Sequence, residues 1–235
     1  MSIADKLKTI ADNMTDVYEA KHNEFWDNYL FSNYYAYRFA GQGWTDLTFR
    51  PTKDIILGEI GNGLFRETSI TNLSNCLQPY EDEQGNKQYK IKLDTSQVKN
   101  ATYAFAYGKL QVIPKIDLSS VTTSTGIFQN LSKLTTIEGI VVSPTTTFVS
   151  STFSGCTELN HLIMSGTLAK SGLDLSSSPK LDEESLASIV NVLQDRVAEG
   201  LSDTNTITLS SQSESKISDS DKARISQKGW SVIYK

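Results

Sequence analysis

Apolar residues along this chain recur on three different periods, and each period predicts a different element. Ile3, Leu7, Ile10, Met14 and Val17 follow one another at alternating intervals of four and three, the a/d spacing of a coiled-coil seam. Ser2 caps this helix, with Asp5 three positions later. The stripe is too short to be stable alone and needs a partner, either the aromatic block that follows or identical helices in an assembly. Residues 25–49 hold ten of the 22 aromatics, and Tyr35, Tyr37 and Phe39 alternate as on one face of a strand. The block reads as a cap for a repeat stack, with a sugar-stacking platform as the alternative.

From Phe105 to Met164 one pattern recurs at a nearly fixed interval. Phe105, Phe128 and Phe153 stand 23 and 25 residues apart, each followed by a leucine (Leu110, Leu134, Leu159) and then an aliphatic residue (Val112, Ile137, Leu162). A fainter copy begins at Phe65, 40 residues before Phe105. A unit of this size cannot close its own core, so it must stack on a neighbour. The Phe and Leu of each unit are expected to point inward. Between Tyr80 and Tyr89 the period breaks around Gly85-Asn86, which predicts a β-hairpin with Glu81, Asp82 and Glu83 opposite Lys87 and Lys90. After Met164, Leu181, Leu186, Ile189, Val190, Leu193 and Val197 mark an amphipathic helix, with Asp182 as N-cap and Gly200 as stop. A strand at 206–209, a helix at 218–228 and a strand at 230–234 follow.

The Phe-x-x-Cys/Asn-x-x-Leu-x-x-Ile grammar, clearest in Phe153-Ser-Gly-Cys-Thr-Glu-Leu159, resembles the BspA-type leucine-rich repeats of bacterial and phage surface proteins. The opening Met1-Ser-Ile-Ala-Asp-Lys-Leu, with Phe25-Trp26-Asp27 and Phe39-Ala-Gly-Gln-Gly-Trp44, is similar to repeat proteins of prophage structural regions in Gram-positive bacteria. The expected fold is therefore α+β, a short leucine-rich-repeat β-solenoid. Its expected parts are an N-terminal coiled-coil-like helix over 1–24, an aromatic cap over 25–64, a solenoid over 65–180 with the hairpin inserted at 78–93, and an α/β C-terminal cap over 181–235. The resemblance implies a virion or tail-associated protein that binds a cell-surface glycan or protein, or alternatively a bacterial surface adhesin.

Composition narrows the partners. A formal net charge of −5 and a pI near 5.1, with no Lys/Arg cluster, argue against nucleic acid. No apolar run is long enough to insert in a membrane, and the N-terminus carries charges throughout, unlike a signal peptide. The resemblance implies a virion address, with the bacterial cell surface as the alternative. The two cysteines, Cys76 and Cys156, stand in separate segments and read as free buried thiols. No metal-ligand spacing is present, and no cofactor is expected.

Chemistry is sparse. The two histidines, His22 and His161, lie near no nucleophile signature, and no catalytic constellation is predicted, which leaves a glycan hydrolase as the weakest reading. Hydroxyl-rich connections suggest a binding flank, with Thr122, Thr123, Thr145, Thr146 and Thr147 as candidate ligand contacts. Such residues also satisfy turn backbones on their own account. Self-association through Ile3, Leu7, Ile10, Met14 and Val17, as a homotrimer beside other tail proteins, completes the expectation.

Overall fold

The phenylalanines separated by spacing in the sequence are one column in space. The structure, a computed structural model, describes residues 55–56, 65–67, 79–81, 87–89 and 93–235. Phe65 stacks on Phe105 with ring centroids 5.6 Å apart, Phe105 on Phe128 at 5.6 Å, and Phe128 on Phe153 at 5.1 Å, all within 25° of parallel. All four rings are buried. Each such pair contributes about 0.5–1.5 kcal/mol beyond the burial itself. Phe65 lies directly on Phe105, so the longer interval between them is one turn carrying an insertion.

Backbone bonds repeat with the rings. Phe65 N donates to Ala104 O, Phe105 N to Ile127 O, and Phe128 N to Thr152 O, at 2.6, 3.0 and 3.0 Å. The second residue after every Phe is left-handed: Glu67, Tyr107, Asn130 and Gly155, with φ of 58°, 61°, 57° and 78°. The sequence signalled this corner only at Gly155 and Asn130, the residue types that enter that region most easily. Buried short donors tie turn to turn as well. Thr146 Oγ1 donates to Leu118 O, Thr152 Oγ1 to Ser124 O, Cys156 Sγ to Phe128 O, and Ser178 Oγ to Cys156 O, at 3.0–3.3 Å.

The strands are short and fall into several sheets. β1 (Ile55–Ile56) pairs parallel with β4 (Leu93–Asp94). β2 (Pro79–Glu81) and β3 (Lys87–Tyr89) pair antiparallel, with Glu81 opposite Lys87. β5 (Val112–Ile113) and β6 (Ile116–Asp117) both pair with one side of β7 (Thr136–Val142), and β8 (His161–Gly166) pairs with the other, all parallel. Then come β9 (Asp174–Leu175), α1 (Glu183–Val192), β10 (Asn205–Leu209), a 3-10 turn (Ser211–Ser213), α2 (Asp219–Gln227) and β11 (Trp230–Tyr234). β9, β10 and β11 form a separate parallel sheet in the order β11-β10-β9, and α2 supplies the crossover between β10 and β11.

This arrangement corrects the expected solenoid. Among the described residues no single ladder runs from the first turn to the last; there are two two-stranded pieces, a four-stranded sheet and a three-stranded sheet. Two local causes are visible. Pro114, which has no N–H, interrupts the strand opposite β7, and β7 shifts register between Ile137 and Ile140. Beyond β8 the chain makes α1 where a further long strand would have extended the sheet. The coiled-coil-like helix with Ile3, Leu7, Ile10, Met14 and Val17 lies outside the described residues, and so does the expected cap over 25–64 apart from Ile55–Ile56.

α1 closes the edge of β8 with side chains in place of a strand. Leu162 N donates to Ser185 Oγ at 2.8 Å and Met164 N to Ser188 Oγ at 3.1 Å, and the one proton of Ser188 Oγ is shared between Ser185 O at 2.8 Å and Leu162 O at 3.2 Å. Leu186, Ile189 and Val190 of the same helix enter the core. Asp182 is the N-cap, accepting from Ser185 N at 2.8 Å, as its place before the apolar stripe predicts. The helix ends earlier than that stripe suggests, because Leu193 is extended and its segment pairs with Leu168. Val197 is consequently 60 % exposed. The last turn of α1 has no basic residue, and Lys228 supplies one from a distance: its Nζ donates to the carbonyls of Val190, Asn191 and Leu193 at 2.8–3.1 Å.

Candidate functional site

The candidate threonines follow the hydroxyl-rich connections, and the stack turns most of their side chains to internal duties. Thr146 is buried, and its hydroxyl donates to Leu118 O while accepting from Ser143 N at 2.9 Å. It does not face a ligand. Thr145 Oγ1 reaches Ser119 O at 3.4 Å, and Thr122 Oγ1 reaches Lys99 O at 3.5 Å, the limit of a hydrogen bond. Lys170 Nζ donates to Thr145 O at 3.3 Å and to Thr147 Oγ1 at 3.4 Å, drawing that flank together. Thr122, Thr123 and Thr145 are exposed and Thr147 half-buried. The five therefore form a stapled flank, with Thr146 inside it.

The outward face of the four-stranded sheet is better built. Strand alternation buries Ile113, Ile137 and Leu162, and turns Val112, Thr136 and His161 to the other side. These three share one register row, and the side chain of Asp182, the N-cap of α1, reaches across to its last member. His161 Nδ1 lies 2.8 Å from Asp182 Oδ2. Partial burial pushes the Asp182 carboxyl up, but hydrogen bonds from the Ser185 hydroxyl, His161 and the Ser185 N–H outweigh it and hold the group below the usual carboxylate range. An ionised Asp182 accepts from Nδ1–H, which fixes the ring orientation of the half-buried His161. Glu138, Ile163 and Ser165 continue the face from β7 and β8.

The arrangement fixes an imidazole but supplies it with no nucleophile. No hydroxyl or thiol among the described residues hydrogen-bonds the His161 ring. Cys156 is buried, and burial pushes its thiol up to about 12 despite a hydrogen bond with the Leu131 backbone, which keeps it protonated. Among the described residues no group of three His, Cys, Asp or Glu could hold a metal ion, and no helix is long and apolar enough to cross a membrane. Near the start of the Phe column, the Arg66 guanidinium sits 5.4 Å from the ring centroids of both Tyr103 and Tyr107.

His161 and Asp182 were separable in the sequence as a repeat residue and a helix cap. Only the turn-to-turn register joins them, and no local motif carries that register. Compared with known proteins, the chain matches no family model, no characterised protein and no solved structure.

Proposed function

We propose that this chain is a non-enzymatic recognition protein of a phage particle, tail-associated or otherwise structural. In this reading it holds a glycan or protein of the bacterial surface against the outward face of β5–β8. The observation that carries the reading is the Val112–Thr136–His161 row, in which a hydroxyl stands beside an imidazole oriented by Asp182. Fixed polar groups on a rigid scaffold favour binding because little side-chain freedom is lost when a ligand arrives. The placement in a particle rests on the sequence resemblance, as does self-association into a trimer through Ile3, Leu7, Ile10, Met14 and Val17.

Two measurements test it. The full chain is applied to bacterial cells and to an array of their surface glycans and proteins, with analysis of any soluble products. Retention without turnover is expected; release of cleaved sugar, or no retention on any surface, overturns the reading. Light scattering then gives the mass in solution. Three chains per particle are expected, and a monomer refutes the trimer.

A further inference from the structure

The hydrogen bonds between turns place Gln111, Thr135, Asn160 and Asp182 in one row: Thr135 N donates to Gln111 O, Asn160 N to Thr135 O, and Asp182 N to Asn160 O, at 2.8–2.9 Å. Two residues earlier on each rung stand Lys109, Lys133, Glu158 and Lys180. They form a second row, whose neighbours are linked at Lys180–Glu158 by an ion pair and at Glu158–Lys133 by charge.

The two halves of this row differ. In one, Lys180 Nζ donates to Glu158 Oε2 at 2.6 Å; that hydrogen bond, the Lys180 charge and more weakly the Lys133 charge hold Glu158 below the usual carboxylate range. In the other, Lys109 and Lys133 are exposed on adjacent rungs, and neither has an ion-pair partner among the described residues. Like charges on adjacent rungs repel, at a cost comparable to what an opposite pair gains. Glu158 shows that the same position accepts an acid, so nothing in the packing of the turns demands a second cation. On a chain with net charge −5 the pair is a local positive site.

One aromatic ring and three polar side chains surround the pair. Tyr107, exposed and donating from its hydroxyl to Gln129 Oε1 at 2.9 Å, and exposed Asn130 precede the lysines on their turns. Exposed Gln111 and Thr135 follow them. We propose that Lys109 and Lys133 together bind the acidic group, a carboxylate or a phosphate ester, of an anionic cell-surface glycan whose sugar ring rests among Tyr107, Asn130, Gln111 and Thr135. This deepens the recognition reading above and depends on it.

The test compares the full chain with its Lys109→Gln/Lys133→Gln and Lys109→Glu/Lys133→Glu variants on three arms: uronate-bearing glycans, phosphate-bearing glycans and neutral glycans. All residues changed are exposed, and unchanged melting curves confirm that each variant folds. At least one acidic arm is expected to bind more tightly than the neutral arm, to weaken with added salt, and to lose about tenfold or more in affinity in the Glu variant. Acidic glycans bound no better than neutral ones, or bound equally by the variants, overturn the inference and leave the recognition reading standing. No binding on any arm or to any cell overturns both.

Discussion

At the scale of single residues, the stack depends on short buried donors between its turns, and Cys156 is the one with titratable chemistry. Its thiol donates to Phe128 O at 3.1 Å and is fully buried three positions after Phe153, the place that Leu131 takes after Phe128. The sequence makes this placement legible, because the cysteine falls at a fixed offset inside the repeat. A protonated, buried thiol does not attack reagents, so native protein is expected to resist a maleimide at Cys156 until it unfolds; rapid labelling in mass spectrometry would contradict this. The sign of the pH dependence follows. The folded-state value is raised from 9.0 to about 12, so the contribution of Cys156 to stability is complete below pH 9 and is lost as pH rises towards 12. Urea midpoints of wild type and Cys156→Ala are expected to converge over that range.

At the scale of elements, α1 is the clearest departure from a plain repeat. Its apolar stripe and its Asp182 cap are readable in the sequence; its task of closing β8 is not, because Ser185 and Ser188 look like ordinary hydroxyls on a helix. Replacing both by alanine strands two backbone N–H groups and one carbonyl of β8 in a buried place. We expect a loss of about 1–3 kcal/mol for each group left unpaired, read as a lower denaturant midpoint. A double variant as stable as wild type would show that the helix does not seal the edge. Gly166 ends the same strand at φ 96°, where an added Cβ would lie 2.0 Å from Val142 O. Backbone cannot yield as a flexible side chain can, so Gly166→Ala is expected to destabilise by more than about 1 kcal/mol. An unchanged melting temperature would rule out that close approach.

The strands illustrate why a correct period gave an incomplete fold. Phe105, Phe128 and Phe153 fixed which turns meet, since their burial requires a neighbour. The expected continuous solenoid failed at Pro114 and beyond Gly166, where single residues decide whether a ladder bond can form. Val197 failed in the same local way: it lies on the apolar stripe by spacing, yet the backbone leaves the helix at Leu193.

At the scale of the whole molecule, three surfaces leave the stack in different states. The threonine flank is stapled internally, the β5–β8 face carries the oriented His161, and in the row beside it Lys109 and Lys133 make no ion pair among the described residues. Net acidity alone concealed that last feature, since a total charge says nothing about register. The central claim is that the β5–β8 face meets the ligand. Its most direct test is the binding of labelled full chain to cells that retain it, before and after Thr136→Arg and Ser165→Arg are combined on that face. Loss of cell binding with an unchanged melting curve is the result expected; retention equal to wild type would contradict the claim.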